Sequence, residues 1–497
     1  MKKLSCMFLA LCLLLTQLLC IPVFAAEADP EPTETEPPVE EFTDTAVPVV
    51  PFGMASITNG CRTMEAQVPL GGSDRMLDSA QAAFVYELNT GTLLYSYNPD
   101  NVMSPGALTK MLTAIVALEN SSLEEEVTVS TASHSTLPAG ARNSRLKNGE
   151  ILTMEDLLYC LIVDMSNDAA LAIAEHISGS ESEFVKLMNE KAAELGCINT
   201  VFTNCHGIDA AGQFSTARDL ARIVQYCVKN AKFAEVFSTT EYVVEPTNKT
   251  EEKRELETLN YLMQQLNVTK YIDDRVTGGV ATYTTSSGAS LACTAQNDAG
   301  LSLIIVVLGC ERIFNTERGT VESYGNFEEV WDLLAFGFEN YKVCRLFHNG
   351  QSMSQFTVAN GENQVVGQTT TDMDAVLPIK AKLDTLNLRY SVVGGGLKAP
   401  IADGQKISTL QIWYRTSCIA EAEIFAMSSV QSVDDSRLDI QSATRDDSNL
   451  KGVLGFIGIV LLIIFVPLMI YVAVNRIRYA IIRNRRRRRR RSRRRSR

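Results

Sequence analysis

Tryptophan and histidine are nearly missing from this chain of 497 residues, which has two of the first and four of the second. The histidines (His134, His176, His206, His348) are scattered, and there is no C-x-x-C, so the sequence offers no zinc-ligand spacing and implies no metal and no cofactor. Of twelve cysteines, Cys6, Cys12 and Cys20 fall in the first 25 residues, leaving an odd nine. These read mostly as small apolar core residues, with one or two disulfides allowed and no pairing fixed. Basic residues are scarce between the two ends. The net charge is −12, yet fourteen Arg lie beyond Asn475; with these and Lys2 and Lys3 set aside, the remainder carries −28. A body so acidic excludes nucleic acid as its partner, because phosphate binding needs Lys and Arg. Long apolar runs are also absent, except at two places, which excludes a polytopic membrane protein.

Those two runs set the topology. Residues 1–25 read as a secretory signal: Lys2 and Lys3, an apolar stretch Leu4–Leu19, and Val23-Phe24-Ala25 before Ala26. Gly452–Val474 is 23 residues without a charge or an Asn, Gln, Ser or Thr. At helical rise it spans about 34 Å, enough to cross a bilayer. The Arg-rich segment 475–497 follows at once, and the positive-inside rule puts it in the cytoplasm against anionic lipid. The body is then extracytoplasmic.

Between the ends the composition changes several times. Residues 26–75 read as an acidic, Pro-rich linker: Glu27–Pro51 alone holds eight acids, six Pro and no base. Residues 76–340 read as one α+β domain. Ala82–Leu88 and Thr92–Tyr97 suggest a strand pair around Asn89-Thr90-Gly91. Leu108, Met111, Leu112, Ile115 and Val116 mark a helix with a buried stripe. Glu155–Ile177 suggests two buried helices around a polar turn, and Thr216-x-x-Asp219 a capping box. Val276–Ala281, Ala289–Ala295 and Leu301–Leu308 read as later strands. From 341 to 430 the helical period gives way to short alternating runs, the signature of a small all-β domain, and 431–451 reads as a polar stalk.

Four segments stand where chemistry is expected. Ser104-Pro105-Gly106-Ala107-Leu108-Thr109-Lys110 opens the first helix. Asp164-Met165-Ser166-Asn167-Asp168-Ala169-Ala170 lies between the next two. Cys205-His206-Gly207-Ile208 precedes the capping box, and Arg275-Val276-Thr277-Gly278 opens a late strand. In this order and spacing the set resembles the serine-type D-alanyl-D-alanine carboxypeptidases, the low-molecular-weight penicillin-binding proteins, over about Met76–Val430. That resemblance implies a penicillin-recognising (beta-lactamase/transpeptidase-like) domain, a small all-β domain after it, and peptidoglycan stem peptides as partners. It also implies three motifs: S-x-x-K with a nucleophilic Ser and a Lys base, S-x-N with a relay Ser, and K-T-G on a strand that binds the substrate carboxylate.

All three registers depart from that pattern. Ala107 stands at the nucleophile position, Met165 at the relay Ser and Val276 at the carboxylate-binding Lys, while Lys110, Asn167, Thr277 and Gly278 remain. Alanine cannot form an acyl-enzyme. Ser104, six residues before Lys110, and Thr109, adjacent to it, fall on other helix faces. Without a serine, Lys110 reads as a buried lysine in need of a partner, Asn167 as the holder of its own turn, and His206 as a packed loop residue. The leading expectation is therefore a membrane-anchored, catalytically inactive carboxypeptidase homologue that binds or scaffolds cell wall. Two others stand beside it: an active serine-type D-Ala-D-Ala carboxypeptidase with a rearranged nucleophile, and a structural or adhesion surface protein that keeps only the fold.

Overall fold

The computed structural model describes residues 62–433, apart from 75, 132–136, 264–268 and 316–319. The expected signal, apolar run and Arg tail lie outside the described residues, as do the acidic stretch and the expected stalk beyond residue 433. No helix among the described residues is long and apolar enough to cross a membrane.

The chain begins with β1 (Ala82–Glu87) and β2 (Leu93–Tyr97), then α1 (Thr109–Asn120), which a 3-10 turn at Gly106–Leu108 leads into. A small ribbon of β3 (Glu126–Thr128) and β4 (Ile151–Thr153) precedes five helices: α2 (Met154–Ile162), α3 (Asn167–Ser178), α4 (Glu181–Glu194), α5 (Ala217–Cys227) and α6 (Ala231–Ser238). A second ribbon, β5 (Glu241–Val244) with β6 (Arg254–Glu257), leads to three long strands, β7 (Val276–Thr284), β8 (Gly288–Gln296) and β9 (Ser302–Cys310). The hairpin β10 (Arg312–Asn315) and β11 (Thr320–Tyr324) and the helix α7 (Gly325–Asn340) complete this part.

The main sheet is antiparallel in the order β2-β1-β9-β8-β7, so β7 is an edge strand. Every residue of β9 is buried because both faces of the sheet are covered. Ile304, Val306 and Leu308 join Phe84, Met111, Ile115, Ile223 and Val224 on the side of α1 and α5. Leu303, Ile305 and Val307 join Phe327, Val330 and Leu334 of α7 on the other. The alternation of strand side chains thus feeds two cores from one apolar run. Helix starts follow their caps: Thr153 accepts from the Asp156 N–H at 3.1 Å, and Thr216 from the Asp219 N–H at 3.1 Å.

Residues 62–74 correct the expected extent of the linker. Met64 is buried in the first core, and the N–H groups of Leu70 and Gly71 donate to the carbonyls of Leu93 and Leu94 at 3.0 and 2.7 Å. The segment pairs beside β2 instead of running free, because its apolar residues and backbone donors find partners there. Eight described cysteines, from Cys160 to Cys418, are buried, in keeping with their reading as core residues.

Beyond α7, Tyr341–Phe347 pairs antiparallel with Met373–Pro378, and a five-stranded sheet runs in the order Ser352–Phe356, Val365–Gln368, Ser417–Ala426, Lys406–Tyr414, Leu386–Val392. Ile407, Leu410, Ile412, Ile419 and Ile424 are buried, and register shifts on the Lys406–Tyr414 strand break the strict alternation. A separate small unit contains, among the described residues, 357–365, 398–402 and 429–433; within it Gly361 bridges to Ser432 and Ile401 to Val430.

Glu329 of α7 ties the sheet's first strand to its outer layer. Its buried carboxylate accepts from the N–H groups of Asp78, Ser79 and Ala80, at 3.3, 2.5 and 3.0 Å, and from Ser79 Oγ at 2.9 Å. Glu329→Ala leaves those donors without the charge they share and is expected to cost about 2–4 kcal/mol by urea unfolding, whereas Glu339→Ala, at the exposed end of the same helix, costs about 0.5 kcal/mol or less.

Candidate active site

The N-terminus of α1 lies in the first core, where the turn Gly106–Leu108 brings the chain in from an exposed loop. Ala107 sits in that turn, and its N–H donates to Thr282 Oγ1 at 3.2 Å. One turn on, Lys110 is 1% exposed. Its Nζ donates to Asn167 Oδ1 at 2.6 Å and to the His206 carbonyl. Burial pulls its pKa down to about 7; Cys205, Asp168 and Asp164 pull it back up, and Arg142 pushes it further down. Both partners of Lys110 are neutral oxygens, and neither is a hydroxyl.

Asn167 opens α3. Its N–H donates to the Arg142 carbonyl at 3.0 Å while its side chain serves Lys110. The turn before it is held by other residues. Asp168 is fully buried and accepts from the N–H groups of Ser144, Leu146 and Ala169 at 3.1, 3.0 and 3.0 Å. Ser166 Oγ donates to Asp168 and accepts from the Ser144 N–H at 3.0 Å. Met165 is buried with φ at +55°, a left-handed conformation that side chains adopt at a cost.

The hydroxyls near the turn are committed elsewhere. Thr109 Oγ1 donates to the Gly106 carbonyl at 2.8 Å, and Ser104 Oγ to Asp209 Oδ1 at 2.6 Å. On the far side, the loop 205–209 closes against the turn. Gly207 has φ +80°, and a Cβ there would stand 2.1 Å from the Gly106 carbonyl oxygen and 2.8 Å from Ala107 Cα, so only glycine permits this approach. His206 is neutral near pH 7: burial, with Lys110 adding to it, lowers its pKa to about 4. Its 3.5 Å approach to Glu181 is therefore not an ion pair at that pH.

The strand-borne residues stand apart from this group. Val276 packs against the core on the α7 side. Thr277 Oγ1 donates to Thr294 Oγ1 at 2.8 Å, and both threonines line a hollow of about 420 Å³ with Val228, Phe237 and Ser238. A Cβ on Gly278 would lie 2.5 Å from the Phe237 ring and 3.0 Å from its carbonyl, so α6 rests directly on this end of β7. Thr282, the residue that meets Ala107, is six positions beyond Val276 and four beyond Gly278, which at strand rise is about 20 Å and about 13 Å. The structure thus gathers Ala107, Lys110 and Asn167, places Met165 at the start of the Asn167 turn, and leaves Val276, Thr277 and Gly278 at the other end of the strand. Thr282 and Asp209 are the residues that the sequence did not single out. Asp209 follows the quoted Cys205–Ile208 run, and nothing in the order of residues marks Thr282.

A family model described as D-alanyl-D-alanine carboxypeptidase matches residues 73–312, and one described as the C-terminal domain of penicillin-binding protein 5 matches 341–432. This chain belongs to the low-molecular-weight penicillin-binding proteins. It is similar to the D-alanyl-D-alanine carboxypeptidase DacF of Bacillus subtilis, 28% identical over 359 residues that cover 71% of this chain and 86% of the relative. It is 29% identical to DacA of Haemophilus influenzae over 360 residues, covering 71% and 85%. Among solved structures, penicillin-binding protein 5 from Haemophilus influenzae matches with a TM-score of 0.60 and 28% identity, over 73% of this chain and all of that one. The penicillin-binding domain and the all-β domain after it are shared with that structure.

In this family member the lysine one turn after the nucleophile position carries a measurable signature. A lysine whose folded pKa lies below its unfolded 10.5 costs stability in full below about pH 7, and the cost is relieved as pH rises from 7 toward 10.5. Relative to Lys110→Met, the native protein should therefore gain on the order of 3 kcal/mol between pH 6 and 9.5, read from unfolding curves of both proteins at each pH. A gap that does not change with pH means that Lys110 is not titrating in this range.

Proposed function

We propose that this chain is an extracytoplasmic, membrane-anchored D-alanyl-D-alanine carboxypeptidase homologue of peptidoglycan metabolism that binds or scaffolds cell wall without hydrolysing it. The observation that carries the reading is the methyl group of Ala107, one helical turn from a buried lysine whose bonds go to Asn167 and a carbonyl. Acyl transfer needs an oxygen there that can surrender its proton to the amine. Loss of the nucleophile from a coupled hydroxyl–base pair costs on the order of 10⁶ in kcat. The second reading, a rearranged nucleophile, asks a neighbouring hydroxyl to serve. Ser104, Thr109 and Ser166 are bonded to Asp209, the Gly106 carbonyl and Asp168, and none bonds to Lys110.

Val276, the residue expected at the K-T-G register, lies at the far end of β7 from Thr282, which meets Ala107, so the reading does not draw on its change from Lys. Anchoring is assigned to Gly452–Val474, with the Arg tail on anionic lipid at the cytoplasmic face.

The purified full-length protein should show no covalent labelling by fluorescent penicillin and no D-Ala release from a stem pentapeptide at micromolar enzyme, while calorimetry with muropeptides shows saturable binding. A labelled residue or released D-Ala overturns the inactive reading. Silence in all three assays leaves a protein that keeps the fold and not the ligand.

A further inference from the structure

The hairpin of β7 and β8 does more at the candidate site than supply an edge. Its tip is seated on the turn that carries Ala107. Thr282 Oγ1 accepts from the Ala107 N–H at 3.2 Å. A Cβ on Gly106 would find Thr282 Oγ1 at 3.1 Å, Thr282 Cγ2 at 3.3 Å and Ser287 Oγ at 3.4 Å, so the two side chains lie directly on the turn's backbone. Asp209 fastens the tip in place: one carboxylate oxygen accepts from Ser104 at 2.6 Å and the other from Ser286 at 2.5 Å. Within the tip, Thr284 and Ser287 share a hydroxyl bond of 2.6 Å.

In acyl transfer by a serine enzyme, the N–H of the nucleophile's own residue is a recurrent donor to the tetrahedral oxyanion. At this turn the corresponding donor is the Ala107 N–H, and a side chain of the same protein already occupies its acceptor side. We propose that Thr282 plugs the oxyanion position, so that the site is closed sterically by its own hairpin as well as lacking a nucleophile. The strand residues opposite the turn are then Val280, Ala281 and Thr282, and the segment Val276-Thr277-Gly278 lies too far along β7 to serve the same cleft. The inference rests on the inactive reading above and adds a second, separable obstacle to it.

Two measurements test the plug on the full-length protein in detergent. The first is hydrogen exchange at the residue 107 amide. Thr282→Val keeps the shape and removes the acceptor, so exchange there should speed up at least about tenfold relative to the native protein, with Thr282→Ser remaining near native. Unchanged exchange in Thr282→Val overturns the plug. The second supplies the missing oxygen. Ala107→Ser/Thr282→Gly should be acylated by fluorescent penicillin about a hundredfold faster than Ala107→Ser alone, the size of effect an oxyanion donor carries. Equal labelling of the two, with both folded by thermal melting, also overturns it, and so does labelling restored only when Val276→Lys is added to Ala107→Ser. Labelling of the native protein would instead refute the inactive reading and leave the exchange result to decide the plug.

Discussion

One buried ammonium joins the parts of the molecule that make the candidate site. Lys110 comes from the first turn of α1, its side-chain partner Asn167 from the first residue of α3, and its carbonyl partner from the loop at His206. A charge this deep needs acceptors, and the three segments converge because only together do they supply them. The convergence has further requirements. The loop at 206 reaches the turn at 107 only through the missing side chain of Gly207. The start of α3 is fixed by Asp168, whose carboxylate takes the backbone donors of the loop at 144–146. The ammonium sets the point of meeting, and the glycine and the aspartate make the meeting possible.

Two features support the proposed inactivity at that point. The first is chemical: Lys110, its pKa lowered to about 7 by burial, bonds to no hydroxyl among the described residues. The second is geometric: the donor that would cradle a developing negative charge is already paired with Thr282. They are independent in origin. One follows from a side chain on α1, the other from the reach of a hairpin whose strands run nine residues each. Restoring either alone does not restore the other, because an oxyanion needs both an attacking oxygen and a free donor.

The fold was legible where burial imposes a period. The stripe Leu108, Met111, Leu112, Ile115, Val116 belongs to one turn of sequence after another, and the capping box at Thr216 and Asp219 is a local device, so both needed only neighbours in the chain. The helix α7 was missed although Phe327, Val330, Leu334 and Phe338 repeat at helical spacing, because the Gly325 start carries no side-chain cap to announce it. The site was legible in α1 and α3, where the expected residues Ala107, Lys110 and Asn167 do meet. It was not legible on the strand. Spacing along a sequence says which residues share a face of β7, but not how far the strand slides past α1 before the hairpin turns. That distance is set by the length of the hairpin and by Asp209 gripping its tip, both of which are tertiary facts.

Stability does not account for the lysine. A buried ammonium bonded to an amide oxygen and a carbonyl, with no carboxylate in direct contact, is a net cost, and an apolar residue of similar volume would usually be cheaper. The structural duties nearby belong to others: Asp168 holds the loop, Ser166 caps α3, and the Asn167 N–H secures Arg142. What Lys110 and the Asn167 side chain contribute is one buried polar contact that joins the start of α1 to the start of α3, beside a turn whose residue 107 ends in a methyl group.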